Sequence, residues 1–562
     1  MKTDPPTKLD EGREAQLVFA KRTWLKTSGY LLVSLSIFFL FVTNSSGIEW
    51  RIVSGRVTDG ITTIPQAIVK LAATTIADTT DDEGRFRLEY EEGSAGNLIT
   101  AWKEGYYNGG VELKESDSEI EIVLLLLPEK DHAEYEWVNP APSFTLKRYA
   151  LALFDKIENC GDCHASIIYE QWRNNGHAQA ATNSRFLDLY NGTDTDGKEG
   201  VQPGFRLDYP HSMGNCANCH APAAAIKNVV SVDMNKLEGV EKLGVSCDFC
   251  HKVKDVHLRE NTSINTGVVH MDLRRPPEGH QMFFGPYTDV PHPDAFSPIM
   301  SNSLFCAPCH QGGFWGVPIY ESYSEWLASP YAKKGITCQN CHMRPDSITT
   351  NFAPGRGGLE RDPLTIPSHF QFGSRDSAFL ASSVTMDTKG DIFDDTLRVS
   401  VAITNATAGH HIPTDQPMRN LILRVKTTNV LGRELTYTGE NVIPYWGGQG
   451  DPAEGNYAGL PGKGFAKILF ERNPQYVSSS KSELQKQIFP SPQWRIINIQ
   501  QDNRIPALTT DVSVYSFKVG NEDLPVIVQS ELIYRRTFKN WATMKKWDLK
   551  DIVLARNLST IQ

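Results

Sequence analysis

The sequence predicts a multidomain chain: a β-sandwich, then a mainly helical and irregular domain, then a second β-sandwich at the C-terminal end. Three observations predict it. Short alternating apolar runs, separated by turn residues, fill residues 48–128. The pentapeptide Cys-x-x-Cys-His occurs five times between Cys160 and His342. Alternation then returns beyond residue 376, with Leu397, Val399, Val401 and Ile403 as its clearest run. At 562 residues the chain is long enough for such a series.

Residues 1–47 come first. Lys21, Arg22 and Lys26 precede an apolar run from Tyr30 to Val42. Its length falls short of the ~20 residues of a comfortable span and matches the apolar core of a signal segment. The long polar tail before it, and Trp24 and Trp50 on either side, favour a retained transmembrane anchor over cleavage. The basic flank places the tail in the cytoplasm and the remainder outside. No Cys follows the run, which excludes a lipoprotein anchor.

Residues 48–128 form the first folded unit. Ile52, Val53 and Val57; Ala67, Val69 and Leu71; Phe86 and Leu88; and Ile120, Ile122 and Leu124 mark strands with one buried face. Turn signals such as Thr58-Asp-Gly60 and Asp82-Glu-Gly84 separate them. The unit resembles the carboxypeptidase-regulatory-like domain through Gly55-Arg-Val57, Pro65-Gln-Ala67, Thr80-Asp-Asp-Glu-Gly84-Arg-Phe86 and Gly105-Tyr106. The resemblance implies a spacer or docking module without chemistry of its own. Residues 129–149 read as a linker.

Residues 150–375 hold the five pentapeptides: Cys160/Cys163/His164, Cys216/Cys219/His220, Cys247/Cys250/His251, Cys306/Cys309/His310 and Cys338/Cys341/His342. Each reads as a haem c attachment site, with two thiols to bond the porphyrin and a proximal His for the iron. The chain has ten Cys and the motifs use all ten, leaving none for a disulfide or a nucleophile. Zinc fits poorly: its sites gather four ligands, and an odd number of motifs with a His after every second Cys does not pair into them. Five covalent haems are therefore expected, and with them export, since such attachment is made outside the bacterial cytoplasmic membrane. A net charge of −10 argues against nucleic acid as a partner.

The first Cys of successive motifs lie 56, 31, 59 and 32 residues apart, long and short in alternation. Gly244-Val-Ser-Cys247 echoes Gly335-Ile-Thr-Cys338, so motifs two and three read as counterparts of four and five. Ten of the 15 His remain for the distal side of the irons. His177 follows Tyr169-Glu-Gln-Trp172 and is the leading candidate; a near-copy, Tyr323-Ser-Glu-Trp326, ends in Tyr331 instead, which should not ligate. His292 lies between two prolines that stiffen its backbone. His369 ends the domain, and His410 lies in Gly409-His410-His411-Ile-Pro413-Thr414, with His411 as its alternative. His211 competes with His257, His270 and His280, and Met213, Met271, Met282 or Met343 would serve in place of a His.

These residues resemble the multihaem cytochromes that include the tetrahaem cytochrome of ammonia oxidisers and, more remotely, hydroxylamine oxidoreductase. The resemblance is carried over residues 155–375 by the first motif with Trp172 and His177-Ala178, by Gly244-Val-Ser-Cys247, by Phe305-Cys306 and by Gly335-Ile-Thr-Cys338 through Met343. It implies stacked haems, mostly with two His ligands, and electron transfer. Five motifs differ from the four or eight of those proteins. No Cys-x-x-Cys-Lys occurs, so the catalytic motif of pentahaem nitrite reductase is missing.

Residues 376–562 read as the second β-sandwich, closed by a terminal helix over Phe538–Leu558 with Trp541, Met544, Trp547 and Leu549 on its apolar side. The whole is expected to be an anchored cytochrome on the periplasmic or cell-surface side. It would relay electrons from a membrane-linked donor to another redox protein or a surface acceptor. The alternative is an oxidoreductase acting on a small nitrogen or sulfur species at one open haem iron, which needs an acid or base beside it.

Overall fold

The computed structural model describes residues 50–93, 96–142, 159–164, 167–258, 267–291, 293–354, 358–472 and 488–562. The apolar run from Tyr30 to Val42, and His292, lie outside these residues. Among the described residues no helix is long and apolar enough to cross a membrane.

The N-terminal unit has seven strands: β1 (Trp50–Thr58), β2 (Ile68–Leu71), β3 (Ala77–Thr79), β4 (Arg85–Glu91), β5 (Leu98–Trp102), β6 (Gly109–Glu112) and β7 (Glu119–Val123). They form two sheets, ordered β4-β1-β7 and β3-β2-β5-β6. One apolar cluster lies between them, with Val53, Val57, Phe86, Leu88 and Ile122 from the first sheet and Val69, Leu71 and Ile99 from the second. In β4 buried and exposed residues alternate strictly, as a strand with one face on a core requires. The sheets are antiparallel except at one place, where β1 runs parallel to β7. There a Cβ on Gly55 would come within 2.1 Å of the Ile120 carbonyl oxygen, so only glycine lets the strands meet.

The C-terminal unit has two sheets as well, each of four strands. The first runs Val384–Phe393, Thr396–Asn405, Thr510–Lys518, Thr436–Tyr437 in order, and the second Gly462–Phe465, Asn420–Asn429, Val526–Arg535, Ile552–Ile561. Leu397, Val399, Val401 and Ile403 pack against Leu421, Leu423, Val425, Val528 and Leu532. The second sheet is covered on its other face too, where Ile422 joins Trp446, Tyr457, Trp541 and Trp547.

The terminal helix is corrected. Only Lys539–Met544 is helical, Lys546 turns the chain with φ 54°, and Ile552–Ile561 is a strand in register with Val526–Tyr534. Trp541 and Trp547 are buried as the helical spacing implied, but by capping the sheet. The β-branched Ile552, Val553, Thr560 and Ile561 favour the pleated edge over a helix.

Between the two β-units lie helices and 3-10 turns mostly of three to six residues. Buried polar contacts fasten this middle part to both sides. Arg495 forks onto Asp208 at 2.7 Å through two nitrogens and also meets Glu471. Arg504 spans Asp502 at 2.8 Å and Glu325 at 2.6 Å. On the N-terminal side, fully buried Asn108 donates to the Tyr287 and Val290 carbonyls and accepts from the Phe296 amide. Asp289 binds Arg361, Lys70 and the Ala73 amide. The first β-unit therefore grips the loop 287–296 rather than standing apart on a linker.

Candidate haem sites

Each Cys-x-x-Cys-His coincides with one helical turn: Gly161–His164, Ala217–His220, Cys247–Cys250, Ala307–His310 and Cys338–His342. In a helix, residues three apart share a face. Each turn thus presents both thiols on one side, with the His beside them. In the first turn the amides of Cys163 and His164 donate to the Cys160 carbonyl at 3.2 and 3.1 Å, and in the second the amides of Cys219 and His220 donate to Cys216 at 3.3 and 3.0 Å.

None of the ten Cys takes part in a disulfide, and all are half-buried. Among the described residues no group of three or more His, Cys, Asp or Glu converges as a bare-metal site. The motifs pack in pairs: Cys247 meets Cys160, Cys219 meets Cys309, and Cys306 meets Cys338 through their thiols. Motif three therefore adjoins one, and motif four adjoins both two and five. In the first motif Cys160 carries the contact to motif three. Burial pushes the Cys216 and Cys250 thiols up to about 12 and raises Cys341 as well.

A His that ligates a metal through Nε2 uses Nδ1–H to fix its ring and tautomer. All five proximal His have such an acceptor. Nδ1 of His164 donates to the Phe352 carbonyl (2.6 Å), His220 to Ala180 (2.9 Å), His251 to Phe284 (2.5 Å) and His342 to Phe372 (2.5 Å). His310 differs: its acceptor is the Asp415 carboxylate, 3.1 Å away. Burial alone would push the His310 imidazole down, but Asp415 outweighs it and holds it up at about 9. Burial would raise the Asp415 carboxyl, but the His310 charge and hydrogen bond bring it to about 2. Asp415 closes the Gly409-to-Thr414 stretch, and nothing in that sequence marks it as the partner of a residue 105 positions away.

Two imidazoles sharing one metal, each bonded at about 2 Å, have ring centroids roughly 6 Å apart. Three proximal His meet a second His at this spacing. His251 and His369 lie 6.5 Å apart with rings at 20°, His342 and His410 6.2 Å apart at 18°, and His310 and His177 6.2 Å apart at 87°. Burial, then the neighbouring imidazole, pushes His177 down to about 4 and His369 to about 3, so both are neutral and have a lone pair for a metal. Nδ1 of His177 hydrogen-bonds the Gln371 side-chain oxygen, and Nδ1 of His410 meets the His411 carbonyl at 2.9 Å. The paired thiols and the facing imidazoles are the donor set that covalent haem requires.

The other candidates fall elsewhere. His211 is exposed and meets no proximal His ring among the described residues. His257 and His280 are exposed, His270 is buried with Nδ1 3.3 Å from the His257 carbonyl, and His411 pairs with Glu325. His220 stacks on Phe186 at 3.9 Å, and His164 lies against Phe352. The Tyr320 hydroxyl accepts from Gln493 at 3.1 Å, and burial, then Asp415 and the Cys219 and Cys216 thiols, push its pKa far up.

Residues 159–252 match the family model described as cytochrome c554 and c-prime. No curated protein matches the chain. Among solved structures, the chain is similar to a penta-heme cytochrome c552 from Thermochromatium tepidum, with a TM-score of 0.50, 19% identity, and 72% of this chain and 97% of that one covered. The likeness concerns the fold.

Proposed function

We propose that this chain is an exported pentahaem c-type cytochrome that relays electrons between a membrane-linked donor and a periplasmic or surface acceptor. The observation that carries the reading is the packing of five Cys-x-x-Cys-His turns into contacting pairs, each proximal His oriented through Nδ1. Haem c held there supplies one-electron chemistry, and short gaps between neighbours are what a relay needs. Within this reading His177, His369 and His410 complete the irons of His310, His251 and His342, and His292 remains a candidate from the sequence. The relation to hydroxylamine oxidoreductase, the carboxypeptidase-regulatory-like character of the first unit, and the N-terminal anchor also belong to it.

Asp415 sets one site apart. A carboxylate behind an imidazole raises its basicity and favours the ferric state. The iron of His310 should therefore have a lower potential than one backed only by carbonyls.

One observation favours the alternative, an oxidoreductase for a small nitrogen or sulfur species. His220 meets no second imidazole among the described ring contacts, and the Tyr320 hydroxyl lies on the side of Cys216 and Cys219. An open iron there would have a proton-bearing group near it.

Purified protein distinguishes the two. A pyridine haemochrome assay should give five haems per chain. The dithionite-reduced protein should then hold its electrons when mixed with nitrite or hydroxylamine and lose them to a soluble redox protein. Fewer haems would overturn the pentahaem reading, and rapid oxidation by nitrite or hydroxylamine would establish the enzyme.

A further inference from the structure

The arginines in and around the haem domain fall into two groups. Five are buried and paired: Arg275 with Asp131, Arg361 with Asp289, Arg495 with Asp208 and Glu471, Arg504 with Asp502 and Glu325, and Arg535 with Asp551, all within ion-pair distance. Four others, the half-buried Arg185, Arg419 and Arg536 and the exposed Arg375, have no carboxylate at that distance among the described residues. Arg185 donates to the Asp548 carbonyl at 3.5 Å, Arg419 to the Thr414 carbonyl at 3.2 Å, and Arg375 to the side chain of Gln179; the carboxylates of Asp548 and Asp415 act on Arg185 and Arg419 through charge, beyond ion-pair distance. The Nε of Arg536 is buried with no acceptor at all.

These four converge. Asn420 and Arg535 are the last partners at one end of the antiparallel register, so Arg419 and Arg536 both stand just beyond that end of the ladder. Ser374 lies close enough to the Tyr534 hydroxyl to act on it, which brings Arg375 to that end of the sheet. Arg185 and Arg375 both feel the charge of Arg536. The cluster borders motifs two and four. Gln179 lies two residues past His177, Phe186 beside Arg185 stacks on His220, and Asp415 behind His310 lies four residues before Arg419.

Like charges at a partly buried junction cost free energy unless an anion joins them. We propose that Arg185, Arg375, Arg419 and Arg536 form a binding site for a carboxylate or small oxyanion between the haem domain and the C-terminal sheets. Guanidinium forks match the planar oxygens of either. The anion has two possible sources, a haem propionate or a free oxyanion from solution, which enters beside exposed Arg375. The propionate source rests on the pentahaem reading.

The test uses the full haem-loaded protein and the variants Arg536→Gln and Arg375→Gln, the second being exposed and so without risk to folding. Haem content is measured first; a count below five in the wild type would sink the pentahaem reading and leave the anion site to the binding arm alone. If a propionate occupies the site, both variants lower the potential of one or two haems in mediated potentiometry, because a cation that favours the ferrous state is gone. Calorimetry with inorganic phosphate or sulfate then shows no saturable binding to the wild type. If a free oxyanion occupies it, the wild type binds phosphate or sulfate at one site, and each variant weakens this roughly ten-fold, the loss of one charge-assisted hydrogen bond. Unmoved potentials together with no saturable binding would overturn the proposal.

Discussion

Two segments of the haem domain share one local design and differ in the residue that ends it. In the first, Trp172 Nε1 donates to the Val245 carbonyl at 2.9 Å, and the Val245 amide donates to the His177 carbonyl at 3.0 Å. In the second, Trp326 Nε1 donates to the Ile336 carbonyl at 2.9 Å, and the Ile336 amide donates to the Tyr331 carbonyl at 3.0 Å. Val245 and Ile336 each stand two residues before the first Cys of a motif. His177 and Tyr331 are thus the same position of a repeated scaffold. The first copy turns an imidazole toward His310; the second offers a phenol. Where the second copy lacks a His, the C-terminal unit brings one. Gly409 closes on Trp326 and Tyr331, where an added Cβ would lie 3.3 and 3.5 Å from them, and the next residue, His410, faces His342. The comparison teaches that the scaffold and the imidazole are separable, and that the C-terminal β-unit supplies an imidazole to the fifth motif.

The largest effects break the comparison at the imidazoles. His177→Ala and His410→Ala should each turn one of five ferric haems high-spin, read by low-temperature EPR. Tyr331→His should leave the spectrum as it is, because His410 already faces His342; a new low-spin signal would refute that. Next, Asp415→Asn should raise the potential of one haem and leave the other four in place, whereas a uniform shift would show that Asp415 acts only as a general charge.

Smaller effects probe how the β-units hold the core. Asn108→Ala removes three hydrogen bonds from a fully buried side chain and should cost about 3 kcal/mol in denaturant unfolding. Burial would raise the Asp289 carboxyl, but Arg361, the Ala73 amide and Lys70 hold it below the usual 3.8. Its stabilisation is therefore complete above that value and lost as pH falls through the lower folded value. Thermal melting between about pH 5 and pH 3 should show this loss, and Asp289→Asn should flatten it. The smallest change is in the scaffold itself: Trp172→Phe and Trp326→Phe should each cost about 1 kcal/mol, and equally if the copies are equivalent.

The five haem motifs were legible because covalent attachment fixes their spacing. The strands of both β-units were legible because one-sided burial imposes alternation, as in Arg85–Glu91 and Thr396–Asn405. The last strand was not. Trp541, Met544 and Trp547 carry a helical spacing for a different reason, the capping of a sheet, and the strand signal after them is half exposed. Which His faces which could not be read either, since His177 and His310 are brought together by tertiary packing with no local periodicity. Nor could the sequence tell that Cys160 meets Cys247 of another motif. Asp415 and the four arginines without an ion pair share that difficulty, because a carboxylate or guanidinium in sequence says nothing of the partner that it meets or lacks.

The most direct measurement is spin quantitation by low-temperature EPR of the oxidised protein with five haems. At least three of the five irons should be low-spin, one for each of the pairs His177–His310, His251–His369 and His342–His410. Three or more high-spin irons would contradict the pairing of imidazoles on which the electron-relay reading rests.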